Sequence, residues 1–158
     1  MRYCLCLLLA AFLATPVLGQ QPVPASIAAL VGQLEQNADE KLPEAPLKEA
    51  RRTFAQTRQR YSRGLPPGSQ LYLTAQILNE AAVPEPVVVR VASWEAGRVV
   101  GHIVRLHSDG TSVAAAPAEF EEAAVLDWAL LRPNGSEEGN HLGKFLELEE
   151  RLAALSDH

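Results

Sequence analysis

The stretch that decides the fold is residues 87–106, which read VVVRVASWEAGRVVGHIVRL. Two runs rich in β-branched residues, Val87 to Trp94 and Arg98 to Leu106, flank the short connection Glu95-Ala96-Gly97. β-Branched side chains favour strands, and so short a connection favours an antiparallel hairpin. The sequence therefore predicts an antiparallel sheet built around this hairpin.

Further strands are predicted on either side of the hairpin. Residues Leu71 to Ile77 alternate with a period of two, as a strand does, and residues 124–131 form the apolar run AVLDWALL. Turn-forming residues follow at Ser108-Asp109-Gly110 and Pro133-Asn134-Gly135. The Ala-rich residues 107–119 predict no particular structure.

Amphipathic helices are predicted before and after these strands. The first runs from a predicted N-cap at Ser26 to about Lys41, the second from about Pro46 to Arg63, and the last ends near Ser156. Helices, then consecutive strands, then a helix predict an α+β fold. We expect an antiparallel sheet of about four to five strands, with the N-terminal helices and the C-terminal helix packed on one of its faces.

The first 19 residues have the layout of a secretory signal peptide. Arg2 gives a positive start, Tyr3 to Leu13 carry no charge, and Val17 and Gly19 suit the −3 and −1 positions of a cleavage site. Residues 20–25 are then a linker, and residues 26–158 a single domain. We expect a bacterial protein that is periplasmic or secreted. A cut after Ala25 and an uncleaved membrane anchor are the alternatives.

Composition and charge exclude several classes of function. The chain has 14 basic and 19 acidic residues, a formal net charge of −5, which disfavours binding to nucleic acid. Both cysteines, Cys4 and Cys6, lie inside the predicted signal, so the cleaved chain offers no thiol for catalysis or metal binding. The four histidines do not have metal-ligand spacing, and no cofactor-binding motif is present. We predict neither a metal nor a cofactor.

One predicted helix is strongly basic. Between Leu42 and Arg63 only Glu44 and Glu49 oppose six cations, which are Lys48, Arg51, Arg52, Arg58, Arg60 and Arg63. Arg51 and Arg58 are seven positions apart and therefore share a face of the helix. Their side chains could simply lie along apolar surface with the charges in water. In the sharper alternatives one guanidinium reaches a carboxylate at the helix–sheet junction, or the helix contacts an acidic partner or anionic lipid.

Asp127 is the most informative single residue. It lies in a run that is apolar on both strand faces, and such strands are usually covered. A carboxylate in that place must be paired or hydrogen-bonded. We therefore expect a structural latch, bonded to an arginine or to turn backbone, with a lowered pKa. The functional alternative is a pocket carboxylate beside the indole of Trp128.

Several short motifs carry a resemblance to a known family. They are Trp94 followed by Gly97 and Gly101, then Asp127-Trp128, Pro133-Asn134-Gly135 and Glu138-Gly139-Asn140. On these residues the chain resembles the bacterial domain-of-unknown-function family 2314, over residues 47–144. The resemblance implies where the core of the domain lies. It implies no catalytic activity, and residues 107–119 depart from the family pattern.

The leading hypothesis for function is a non-enzymatic binding or interaction module of the cell envelope. Its partner would be another envelope protein, reached through the sheet or the basic helix. One alternative is a hydrolase or transferase that uses Asp127 with Glu138 or His141 as acid and base. Another is an immunity or inhibitor protein. The candidate binding residues are Trp94, Asp127, Trp128, Glu138, Gly139, Asn140, Arg51 and Arg58.

Overall fold

The hairpin predicted from residues 87–106 is present. Its strands are β2, Pro84–Glu95, and β3, Arg98–Leu106. Ala96 and Gly97 turn the chain with φ angles of 49° and 80°, the left-handed values that tight hairpins of this kind require. The computed structural model describes residues 22–156, and the predicted signal peptide lies outside them.

Four more strands complete the sheet within the described residues. They are β1, Gln70–Leu78; β4, Ser112–Glu121; β5, Val125–Leu131; and β6, Glu137–Gly139. The spatial order is β4-β3-β2-β1-β5-β6, and every neighbouring pair is antiparallel. The prediction of four to five strands was wrong, because the described part of the chain contains six.

The three α-helices of the described residues, together with the sheet, confirm the α+β class. They are α1, Ala25–Gln36; α2, Glu44–Ser62; and α3, His141–Ser156. The predicted N-cap at Ser26 was wrong: α1 already includes Ala25, and Pro24 precedes it as the N-cap. The Ser26 hydroxyl instead donates a hydrogen bond to the carboxylate of Glu137, so it ties α1 to β6.

The helices cover both faces of the sheet. Tyr72 of β1 and Val88 of β2 pack with the apolar stripe of α1 and with Leu142 of α3 in one core, which we call the α1 core. Leu73 and Val89, their neighbours along the strands, pack with Ala50 and Phe54 of α2 in a second core, which we call the α2 core. The expectation of helices on one face was wrong, since the strands carry apolar residues on both faces and both must be covered.

A β-bulge sets the position of Asp127. Along the pairing of β1 with β5, Thr74 lies opposite Asp127, but the next residue, Ala75, lies opposite Val125. Leu126 is the extra residue, and it packs with the α1 core, whereas Val125 packs with the α2 core. The bulge shifts the alternation of the strand immediately before the buried carboxylate.

Candidate functional site

Five of the predicted site residues meet where β5, β6, α2 and α3 come together. We call this place the Asp127 junction, and its members are Asp127, Trp128, Glu138, Gly139, Asn140, His141 and Arg60. The two strands are paired antiparallel, with Ala129 opposite Gly139. The next residues after β6 begin α3, so the start of that helix lies against β5.

The carboxylate of Asp127 caps the start of α3. Its side chain is 1% exposed. Oδ1 accepts a hydrogen bond of 2.8 Å from the backbone N–H of Trp128, and Oδ2 accepts one of 2.7 Å from the backbone N–H of Leu142. The N–H groups of a first helical turn have no partner within the helix, so this contact satisfies one of them. The expected latch is present, with backbone donors in place of an arginine.

The pKa of Asp127 differs from the expectation. Burial raises the pKa of this carboxyl above its usual range, while the N–H groups of Leu142 and Trp128 and the nearby His141 act in the opposite direction. The prediction of a lowered pKa was wrong because loss of hydration outweighs the hydrogen bonds. The imidazole of His141 packs edge-on against the indole of Trp128, with 5.7 Å between ring centroids.

The indole of Trp128 joins the sheet to α2. Its Nε1–H donates a hydrogen bond of 3.1 Å to the hydroxyl of Thr53. The guanidinium carbon of Arg60 lies 5.8 Å from the centre of the ring, within the range of a cation–π contact. Thr53 and Arg60 both belong to α2, so the ring is held by one helix from two sides.

Glu138 is held by two arginines. Arg60 lies 2.5 Å from one carboxylate oxygen, and Arg132 contacts the other. The hydrogen bond from Arg60 is the main reason that the pKa of Glu138 is lowered, burial opposes it, and Arg132 adds to the lowering. The side chain therefore remains a paired carboxylate at neutral pH and has no proton to donate as a general acid.

Gly139 and Asn140 form the turn into α3. Both have positive φ angles, 75° and 52°. A Cβ on Gly139 would stand 2.2 Å from the carbonyl oxygen of Trp128 and 2.6 Å from its indole, so no other residue fits without movement of the backbone. The N–H of Asn140 donates to that same carbonyl at 2.7 Å. These two residues bring α3 close to β5.

Trp94 and Arg58 lie in a second junction, apart from Asp127. The indole of Trp94 packs against Phe54 and Tyr61, with ring centroids 5.3 and 5.8 Å away. Its Nε1–H donates to a carboxylate oxygen of Glu122 at 3.2 Å, and Arg58 pairs with the same oxygen at 2.8 Å. For Arg58, the alternative of a guanidinium that reaches a carboxylate is therefore correct.

Arg51 belongs to neither junction and lines an open cleft of about 810 Å³. We call it the cationic cleft. Its lining includes three cations, two carboxylates and an apolar wall: Lys41, Lys48 and Arg51; Glu40 and Glu44; and Leu42, Pro84, Pro86 and Leu126. Lys41 is paired with Glu44 at 2.8 Å. The side chains of Lys48 and Arg51 form no hydrogen bond or ion pair with other described residues. The pKa of Glu44 is lowered mainly by Lys41, and the charge of Arg51 adds to the lowering.

Sequence reasoning missed the contributions of Arg60, Glu122 and Lys48. The excess of basic residues in α2 was visible, but the sequence does not show which cations meet a carboxylate from the sheet. Arg60 and Glu138 lie 78 positions apart, so only the folded chain brings them together.

Within residues 22–156, no group of three histidine, cysteine, aspartate or glutamate side chains could hold a metal ion. None of the helices in this part is long and apolar enough to span a membrane. Comparison with protein-family models, with curated proteins and with solved structures finds no match. The resemblance to family 2314 therefore stays a prediction.

Proposed function

We propose that the protein is a non-enzymatic binding module of the bacterial cell envelope, and that its cationic cleft binds an acidic segment of a partner protein. One observation carries this proposal. Three cations of α2 are engaged by carboxylates: Arg52 by Glu49, Arg58 by Glu122 and Arg60 by Glu138. Lys48 and Arg51, on the same helix and at the cleft, have no ion pair or hydrogen bond of this kind among the described residues, and Glu44, the carboxylate near Arg51, is paired with Lys41.

The chemistry of the cleft suits carboxylates that are carried beside apolar side chains. A guanidinium can donate two parallel hydrogen bonds to one carboxylate, and an ammonium adds a second positive point charge. Leu126 and Pro86 supply apolar wall beside these cations. A partner with alternating acidic and apolar residues would satisfy both parts of the surface.

The geometry of the Asp127 junction opposes the hydrolase or transferase alternative. Both oxygens of Asp127 accept backbone hydrogen bonds, and its side chain is buried. Glu138 is engaged by Arg60 and Arg132. An acid–base pair must reach a substrate, and these two carboxylates are instead engaged within the fold. The proposed envelope location depends on the signal predicted for residues 1–19, and membership of family 2314 is part of the same proposal.

Charge reversal in the cleft tests the proposal. The probe is a synthetic peptide of alternating glutamate and leucine, and the measurement is its fluorescence anisotropy at increasing salt. We expect Lys48→Glu with Arg51→Glu to weaken binding by about tenfold or more, and wild-type binding to weaken as salt rises.

The matched control is Arg52→Glu with Arg63→Glu, which makes the same change of charge at one residue of α2 and at the residue that follows the helix, both outside the lining of the cleft. It should leave peptide affinity nearly unchanged. Equal losses in both variants would show that only overall charge matters, and the cleft would be rejected as the site. Binding to anionic vesicles without binding to the peptide would replace the protein partner with a lipid surface.

A further inference from the structure

Helix α3 is anchored at its start and uncovered over its second half. Leu142 and Leu146 pack into the α1 core. All residues from 147 to 156 are exposed. On this part of the helix Leu148, Leu152 and Leu155 are 55%, 54% and 74% exposed.

These leucines form one stripe together with Phe145. The four residues follow one another at spacings of three, four and three, which places them at the a and d positions of two heptads. We call them the α3 stripe. The other large exposed apolar residues of the described chain lie away from α3: Leu78 ends β1, Val83 immediately precedes β2, and Val100 is on β3. A continuous apolar row on the exposed half of a helix marks an interaction surface.

We propose that the α3 stripe pairs with the same stripe of a second copy of this chain, with the two helices parallel. In this heptad frame Lys144 occupies a g position and Glu149 the following e position. A parallel pair brings each g residue beside the e residue five positions later on the partner helix. Lys144 of each copy would then face Glu149 of the other, and the pair would carry this contact twice.

The same charges disfavour the other arrangements. An antiparallel pair brings g beside g and e beside e, so Lys144 and Arg151 would meet only basic residues and Glu149 would meet itself. An anionic membrane surface would gain little from the charges beside the stripe, because Lys144 and Arg151 at g positions are balanced by Glu147 and Glu149. A second copy in parallel is the occupant that both the spacing and the charges fit.

Both basic residues beside the stripe have partners within their own chain and are exposed. The ammonium of Lys144 donates a hydrogen bond of 2.6 Å to the carbonyl of Gly139 and lies 3.7 Å from the carboxylate of Glu137, an exposed pair that a contact with Glu149 of the second copy would share or replace. Arg151 is paired along its own helix with Glu147 at 2.5 Å. Because only two heptads are present, we expect weak, concentration-dependent pairing. This inference does not depend on the cationic cleft.

The first test is sedimentation of the protein recovered from the envelope, over a wide range of concentration. We expect a monomer–dimer equilibrium, and we expect Leu152→Gln to raise the dissociation constant by about tenfold or more. Leu78→Gln is the matched control, because Leu78 is 65% exposed but lies outside the stripe. Monomer at every concentration, or a dimer that Leu152→Gln leaves unchanged, would overturn the proposal.

The second test fixes the direction of the helices. In a parallel pair Glu149→Lys and Lys144→Glu should each weaken association, and the double variant should restore it, because the exchanged charges face one another again. Strengthening by Lys144→Glu alone would indicate antiparallel helices and contradict the proposed arrangement. Unchanged melting temperatures of the single variants would show that the effects arise at the interface and not from loss of the contacts of Lys144 with Gly139 and Glu137.

Discussion

A single carboxylate, that of Asp127, holds two segments that are 15 residues apart. One oxygen is bonded to the N–H of the next residue in β5, and the other to an N–H at the start of α3. Helix caps commonly come from the residue that precedes the helix. Here the neighbouring strand supplies the acceptor, so contact with β5 stabilises the first turn of α3.

Asp127→Asn tests this cap. Asparagine keeps one acceptor oxygen, but its amide NH₂ would face one of the two backbone N–H groups, and two donors cannot bond. We expect a loss of about 1–3 kcal/mol in the free energy of unfolding at neutral pH, measured by urea denaturation. A variant as stable as the wild type would show that the two backbone contacts contribute nothing.

The wild type and the Asp127→Asn variant together also test the direction in which the pKa of Asp127 is shifted. Because burial raises the folded-state pKa of Asp127, the folded wild type binds its proton more tightly than the unfolded chain does. Wild-type stability relative to Asp127→Asn should therefore grow as the pH falls through the folded pKa towards the unfolded value of about 3.9.

Asp109 provides the opposite control. The hydroxyl and N–H of Thr111 lower the pKa of Asp109, so its contribution is present at neutral pH and fades on acidification. The stability difference between wild type and Asp109→Asn should shrink as the pH falls. If the Asp127 difference shrank in the same way, the raised pKa of Asp127 would be contradicted.

At the scale of elements, the short strand β6 depends on a close approach to β5. Gly139 allows the backbone of β6 to contact Trp128 directly. A methyl group at Gly139 would collide with both the carbonyl oxygen and the indole ring of Trp128. Gly139→Ala should therefore separate β6 and α3 from β5.

Gly110→Ala is the control for Gly139→Ala, because it introduces the same backbone strain without a collision. Gly110 has a φ of 80° and a methyl group there would meet nothing within 4 Å. The Gly110→Ala variant should lose only about 1–2 kcal/mol of unfolding free energy, because alanine disfavours the left-handed backbone conformation. Thermal unfolding should show a clearly larger loss for Gly139→Ala, and equal losses would mean that the close approach adds no constraint.

The elements differ in how well the sequence predicts them. The hairpin of β2 and β3 was predictable because both strands are rich in β-branched residues and joined by a tight turn. Strand β4 was not, since its alanines and Pro117 have low strand propensity and its pairing with β3 holds it in place. Strand β6, with three residues, is too short to show a period.

In the candidate site, too, some features could be predicted from the sequence and others could not. The burial of Asp127 could be inferred from its apolar neighbours alone. Its partner Leu142, the pairing of Arg60 with Glu138, and the sharing of Glu122 between Trp94 and Arg58 depend on contacts across long stretches of chain. Sequence patterns report local periodicity, and they do not report which distant charges meet.

For the whole molecule, the cleavage predicted after Gly19 can be tested directly. The carbonyl of Pro24 accepts hydrogen bonds from Ile27 and Ala28 at 3.1 and 2.9 Å, so a cut after Ala25 would remove a cap of α1. Mass spectrometry of protein from the envelope should find a chain that begins at Gln20. A chain that retains Met1 would contradict the cleaved signal and support a membrane anchor.

The strand order also sets the order in which the chain can assemble. Strands β1 to β4 form a meander in which each pairs with its neighbour in sequence, and such local pairings form early. Strand β5 must return across the whole meander to reach the free edge of β1. Until residues 125–131 dock there, that edge remains an open template on which a second nascent chain could add a strand. The interval before docking is therefore when this protein is most exposed to aggregation.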